Sequence, residues 1–266
     1  APDGKPWGSR WPRVTARDQV AVEIALADHL GIDTFASAMG GSMGAMRALE
    51  WLIMQPGRVR SAMLSATSAV ASADQIATNT TQIRAITGDP HWNQGDYYNQ
   101  EVGPVHGMQL ARQIAHINYR TEYELATRFG TDPQEVENPY GPEVAGRHPE
   151  AGRFSVQSYL DHHGVKLAKR FDAGTYVALT DVMNTHDIAR GRGLIADVLG
   201  AIDVPVVVSG IDSDRLFPLY QQEQLANLIP TASALRVVHS PYGHDSFLIE
   251  NAKIGALVQE TLAHVS

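Results

Sequence analysis

The chain has 266 residues, 44% of them hydrophobic and 19% charged, and its 29 acidic and 21 basic side chains give a net charge of −8. This composition suits a globular chain with one or two domains and a sizeable core, and its acidic balance argues against broad nucleic-acid binding. Cysteine is absent, which excludes disulfides, thiolate nucleophiles and cysteine-based zinc sites; no apolar run approaches the ~20 residues of a membrane span.

The opening Ala1-Pro2-Asp3-Gly4-Lys5-Pro6-Trp7-Gly8 is polar and turn-rich, unlike a signal peptide, and carries no initiator methionine. The chain is expected in the cytoplasm. Thr15 followed by Asp18 has the spacing of a helix-capping box, predicting a helix to about Leu30 with Val20, Ile24 and Ala27 on one face and Gly31 ending it. Residues 33–39 fit a short buried strand. A glycine-rich turn follows, then a helix from about Met43 to Met54 stopped by Pro56-Gly57, then a strand over Ser61–Ala66. Helix and strand alternate, which predicts a parallel α/β sheet.

From about Ala69 to Arg190 no β alternation is visible. Helical patterns alternate with polar loops such as Asn138-Pro139-Tyr140-Gly141-Pro142. This predicts a helical insertion over 69–193, interrupting an α/β core made of 1–68 and 194–266. The core rhythm resumes with a buried strand over 204–210, where Pro205 must sit at the start. A helix over Leu219–Leu228, a last strand over 235–239 and a final helix from about Phe247 to Leu262 complete the chain.

Gly40-Gly41-Ser42-Met43-Gly44 matches G-x-S-x-G between a predicted strand and a predicted helix. A serine on such a turn is lifted out of the chain, and flanking glycines let the backbone pass without clashes. The helix that follows aims N–H groups and its positive end at the site, so the Met43 N–H can serve an oxyanion. A glycine-rich βα turn with no chemistry would look the same, so the other partners matter. The strand at 204–210 leads into Ile211-Asp212-Ser213-Asp214, and the last strand into Pro241-Tyr242-Gly243-His244-Asp245. Serine, aspartate and histidine thus follow in the order of an α/β-hydrolase triad, each at the carboxyl end of a strand, where open parallel sheets hold their ligands. His244 is the candidate base for Ser42; Asp212 and Asp214 compete for the acid.

These residues resemble the homoserine O-acetyltransferases of methionine biosynthesis. The likeness runs along the whole chain: Asp3-Gly4-Lys5-Pro6-Trp7-Gly8-Ser9-Arg10, Arg17-Asp18, Ala48-Leu49-Glu50-Trp51, Gln157-Ser158-Tyr159-Leu160, Arg170-Phe171-Asp172-Ala173, His186-Asp187-Ile188, Arg190-Gly191-Arg192-Gly193, Ser213-Asp214-Arg215-Leu216 and Tyr242-Gly243-His244-Asp245. Ala45 stands where that family commonly has glycine, a departure outside the chemistry. The resemblance implies an α/β-hydrolase fold with a helical lid and Asp214 as the acid. It implies ping-pong transfer from acetyl-CoA to homoserine through acyl-Ser42, with no tightly bound cofactor. It also implies that Arg112, Tyr119 and Asp245 contact the amino acid, and that lid helices form a homodimer. Succinyl transfer, a serine acceptor, or plain ester hydrolysis are the competing activities of the same superfamily.

On a helical wheel Gln109, Arg112, His116 and Tyr119 form one polar stripe, with Leu110, Ile114 and Ile117 opposite. A guanidinium suits a carboxylate; the pattern alone favours a solvated helix face, and the resemblance reverses that reading. Arg190 and Arg192 are weak candidates for CoA phosphates. Asp161-His162-His163 lacks further ligands at a recognisable metal spacing, so no metal is expected. Ser42 comes early for a fold that places several strands before its nucleophile. The expectation is therefore the C-terminal part of an enzyme, either numbered from an internal residue or with a processed N-terminal piece as a separate chain, and with an unpaired apolar sheet edge.

Overall fold

The computed structural model describes residues 1–131, 133–134 and 153–265. In chain order its elements begin α1 (Ala16–His29), β1 (Ala38–Gly41), α2 (Met43–Met54), β2 (Ala62–Ser65), α3 (Ala73–Thr87), α4 (Val105–Tyr119) and α5 (Glu122–Phe129). They continue β3 (Pro133–Gln134), β4 (Arg153–Phe154), α6 (Ser155–Ala168), α7 (Ala173–Asn184), α8 (Ile195–Gly200), β5 (Val206–Ile211) and α9 (Leu219–Leu228). The chain ends with β6 (Arg236–Val238), α10 (Ser246–Ile249) and α11 (Asn251–Ala263).

The chain divides into two compact units. One comprises Pro12–Asn79 and Ala178–Ser266, the other Ala1–Trp11 and Thr80–Val177. The divisions fall 11 and 16 residues inside the two ends of the 69–193 insertion drawn from the sequence, and the first eleven residues join the helical unit.

The first unit is built on a parallel sheet in the order β1-β2-β5-β6. β5 is buried throughout, as strands covered on both faces must be. Leu64 and Val208 face a core shared with Leu49, Leu52, Leu199 and Leu225. Met63, Val207 and Ile211 face a smaller one closed by Leu257 of α11. α1 starts on the capping box that Thr15 and Asp18 predict. β1 occupies one end of the strand order, with no outer partner among the described residues. Beside it lies a cavity of about 440 Å³ lined by Leu26, Ile32, Phe35, Met39 and Trp51 among others.

Two elements differ from the sequence reading. The strand expected over 33–39 pairs regularly only from Ala38, and the residues before it contribute a single bridge, Phe35 to Val59. Backbone bonds still flank that stretch, Phe35 N–H to Arg58 O at 2.8 Å and Ala38 N–H to Ser61 O at 3.0 Å, and hydroxyls add to them: Ser37 Oγ donates to the Ser61 carbonyl and Ser61 Oγ to the Ala36 carbonyl, both at 3.1 Å. The single C-terminal helix is two, because Glu250 leaves helical geometry at φ −81° and ψ 59°. The Glu250 carboxylate accepts from the Ser240 hydroxyl and lies 3.2 Å from Lys253 Nζ, holding that carboxyl below its usual range.

α2 carries a buried charge. Glu50 is 1% exposed, with Arg17 Nε at 3.2 Å and Arg192 Nη1 at 2.8 Å. Arg17 also donates to the carbonyls of Asp187, Ile188 and Arg190, so the cluster ties α1 and α2 to the turn before α8. Arg192 is thereby occupied as an ion-pair partner, while Arg190 is exposed and 3.8 Å from Asp187. Removing one member of a buried pair typically costs 3–5 kcal/mol, and the partial solvent access of both guanidiniums lowers the expectation for Glu50→Ala to about 2–3 kcal/mol. Urea titration of the full-length protein checks this; an unchanged midpoint would show the cluster to be dispensable.

The helical unit packs α4 against α6, with Ile86, Tyr97, Met108, Ala111 and Leu167 in its core. A short antiparallel pairing joins β3 to β4, strands that the sequence reading did not anticipate. The loop read at Asn138–Pro142 lies outside the described residues. No helix among the described residues is long and apolar enough to cross a membrane.

Candidate active site

Ser42 sits between β1 and α2 with φ 56° and ψ −128°. That conformation is strained for a residue with a side chain, by about 1–3 kcal/mol, and the surroundings hold it. Its N–H donates to Ser65 O at 3.0 Å, and its carbonyl accepts from Ala45 and Met46 at 3.0 and 3.2 Å. The turn is so tight that a Cβ on Gly40 would lie 2.3 Å from the Gly44 carbonyl carbon, which is why residue 40 must lack a side chain. α2 begins without a side-chain cap. Its first N–H groups, Met43's among them, therefore receive no side-chain acceptor.

His244 arrives from the far end of the chain, on a short 3-10 turn, Gly243–Asp245, after β6. Its Nε2 lies 2.9 Å from Ser42 Oγ and its Nδ1 2.7 Å from Asp214 Oδ2. A buried carboxylate can only accept, so Nδ1 carries the proton and Nε2 is left to accept from the serine. Asp214 is held in turn: its Oδ1 accepts from the N–H groups of Leu216 and Phe217 at 2.8 and 2.9 Å. The Asp214 side chain is fully buried and that of His244 is 4% exposed. Phe217 stacks on the imidazole at 5.1 Å and Phe247 meets it edge-on at 5.4 Å, shielding the pair from water.

Asp212, the rival acid, is 2.8 Å from the exposed His239 instead. Asp245 follows His244 directly and is half-buried. The sequence reading had no signal for Phe217 and gave Phe247 only as the start of the final helix, not as a contact to the imidazole.

In the helical unit, α4 buries its polar stripe more than its apolar one. His116 is 2% exposed and Gln109, Arg112 and Tyr119 are half-buried, whereas Leu110 and Ile117 stand in solvent at 49% and 46%. The polar stripe is therefore not a solvated face. α6 packs on its side, bringing Tyr159 Oη within 2.9 Å of His116 Nδ1 and the His163 ring within 4.1 Å of the His116 ring. Burial, then the Arg112 charge, pushes His116 down to about 3; burial, then His162, pushes His163 down to about 4. Both rings are neutral near pH 7. The Arg112 guanidinium lies 5.9 Å from the Tyr119 ring centroid and forms no ion pair with a carboxylate among the described residues. Asp161 accepts from Gln113 Nε2 at 2.9 Å, and no three His, Asp or Glu residues converge as metal ligands among the described residues.

A strained serine after a parallel strand, linked through a buried histidine to an aspartate at the next strand ends, has the geometry of an α/β-hydrolase site. The family model for the alpha/beta hydrolase fold matches residues 3–251. Among solved structures, homoserine O-acetyltransferase from Bacillus anthracis superposes with a TM-score of 0.85 at 22% identity, over 97% of this chain and 68% of that one. Esterase E22 superposes with 0.84 at 24% identity, over 100% and 71%; likeness at this level speaks to the fold alone. Sequence relatives are much closer. The homoserine O-acetyltransferase of Nocardia farcinica is 53% identical over 262 residues, covering 98% of this chain and 66% of the relative. That of Thermobifida fusca is 52% identical over 264 residues, covering 99% and 67%. The chain belongs to the homoserine O-acetyltransferase family, and it spans about two thirds of the length of these relatives.

Proposed function

We propose that the full-length enzyme carries an acetyl group from acetyl-CoA to the side-chain oxygen of L-homoserine, a step of methionine biosynthesis, in the cytoplasm. The observation that carries this is the hydrogen-bonded line from Ser42 through His244 to Asp214 in a chain about half identical to enzymes of that name. In the first half-reaction Ser42 Oγ gives its proton to His244 Nε2 and attacks the thioester carbonyl. The carbon–sulfur bond breaks, and His244 returns the proton to the departing thiolate. In the second, His244 takes the homoserine hydroxyl proton, the alkoxide attacks the acyl carbon, and Ser42 leaves and is reprotonated. Asp214 holds the imidazole tautomer and stabilises the imidazolium in both. Met43 N–H is the proposed oxyanion donor.

Arg112 and Tyr119 are the proposed contacts to the acceptor's carboxylate end, and Asp245 to its ammonium. For Arg112 the support is a half-buried guanidinium with no acidic partner among the described residues, available for bidentate binding. A homodimer through the helical insertion belongs to the same reading, supported by exposed Leu110 and Ile117 on α4. So does a further polypeptide segment against β1, supported by the apolar groove there.

Arg112→Ala separates acyl transfer from hydrolysis. It is expected to lower homoserine-dependent turnover by about 100-fold, the scale for a buried charged hydrogen-bonded contact, while the first release of CoA thiol stays within a few-fold. The assay follows thiol release with acetyl-CoA or succinyl-CoA, with and without homoserine. Equal loss in both half-reactions would remove Arg112 from the acceptor site. Thiol release independent of homoserine in the unmutated enzyme would make it a hydrolase.

A further inference from the structure

Ser213 precedes the triad aspartate, and its hydroxyl does not point to solvent. Its Oγ donates to the Ser240 carbonyl at 2.5 Å and accepts from the Gly243 N–H at 3.0 Å. One hydroxyl thus closes both ends of the turn that delivers His244. Gly243 has φ +67°, a backbone state that costs glycine little but leaves the turn without intrinsic stiffness. The turn is also gripped from within: Ser246 Oγ, fully buried, donates to the Gly243 carbonyl at 2.6 Å and lies 3.0 Å from Ser240 Oγ. Asp212 adds a flanking bond, accepting from the Ser240 N–H at 3.0 Å. Of these groups, only Ser213 is adjacent in sequence to Asp214 while bonding the residue adjacent to His244.

We infer that Ser213 is a positioning residue, whose hydroxyl fixes the loop carrying His244 against the loop carrying Asp214 and so keeps the imidazole proton on Nδ1. The inference rests on the reading of Ser42, His244 and Asp214 as a catalytic triad. Physically, the two aromatic rings around His244 confine its plane but cannot set its height along the Asp214 carboxylate. The backbone turn sets that height, and Ser213 is the group that ties the turn to the acid's own segment. A misplacement of ~1 Å in such a constellation costs about 100-fold in rate.

The test compares Ser213→Ala and Ser213→Thr in the full-length enzyme. Two readouts are used: the low-field proton resonance of the imidazole N–H shared with Asp214, assigned by its absence in His244→Gln, and the kcat and KM of thiol release from acetyl-CoA. Ser213→Ala is expected to lose or broaden the resonance and to lower kcat about 10- to 100-fold with KM nearly unchanged. Ser213→Thr, which keeps the hydroxyl, should restore both. An unchanged resonance and kcat in folded Ser213→Ala overturns the inference, as does an equal loss in Ser213→Thr. If Ser213→Ala does not fold, Ser213→Cys, of similar volume but a weak donor, carries the same comparison. If the unmutated enzyme shows no serine-dependent acyl transfer, the triad reading fails by itself; the resonance comparison still decides whether Ser213 holds His244 on Asp214.

Discussion

Ser42→Ala in the full-length enzyme is expected to lower acyl transfer by about four to six orders of magnitude, the scale seen when a triad nucleophile is removed. The reason is specific to the turn. Ser42 is held in a strained conformation with its Oγ 2.9 Å from His244 Nε2. Alanine at 42 keeps the backbone strain and the neighbouring hydrogen bonds, so the fold should persist while the acyl acceptor is gone. The check is a rapid-quench measurement of thiol release with mass analysis of the Ser42 peptide. The unmutated enzyme should give a burst of thiol equal to its active sites and an acetyl group on Ser42. A burst that survives in Ser42→Ala would place the nucleophile elsewhere and overturn the mechanism.

Asp214→Asn is expected to lower kcat by about 10⁴-fold with little change in structure. The amide is nearly isosteric, and its oxygen can still accept from the Leu216 and Phe217 N–H groups. Its NH₂ would then face His244 Nδ1 as a donor. The imidazole must answer by moving its proton to Nε2, where it can no longer accept from Ser42. Asp212→Asn is the paired comparison: it alters a surface contact with His239 and should cost at most a few-fold. If the two variants were equally impaired, the division of labour between the aspartates would be wrong.

Much of the site was legible in the residues because its parts sit at punctuation. Ser42, Asp214 and His244 each follow a short apolar run, and strand ends are what such runs mark. The choice between Asp212 and Asp214 was not legible from the run: both follow the strand within three residues, and a difference of two residues lies within the uncertainty of where a strand ends. The resemblance pointed to Asp214, and the hydrogen-bond geometry agrees. α2 was read at its full extent because Pro56-Gly57 stops it. The strand over 33–39 pairs regularly only from Ala38, with a single bridge at Phe35 before it, because where a short strand starts pairing depends on its neighbour and not on its own apolar run. On α4 the helical wheel gives the two stripes but not which one a neighbouring helix covers, so the pattern alone favours a solvated polar face and only the resemblance turns it inward.

The sequence by itself determined the alternation of helix and strand in the core, the glycine turn around Ser42, the capping of α1 and the set of chemical groups available, because these depend on residues close together in the chain. Only the tertiary structure decided that Asp214 and not Asp212 meets His244, that Glu50 is buried between two arginines, that Phe217 and Phe247 flank the imidazole, and that Ser213 bonds the turn carrying it. Phe247 apart, those contacts join positions distant in the chain, His244 to Asp214 and to Ser42 among them, and their geometry is set by the register of a parallel sheet and the packing of helices on it, which no local pattern encodes.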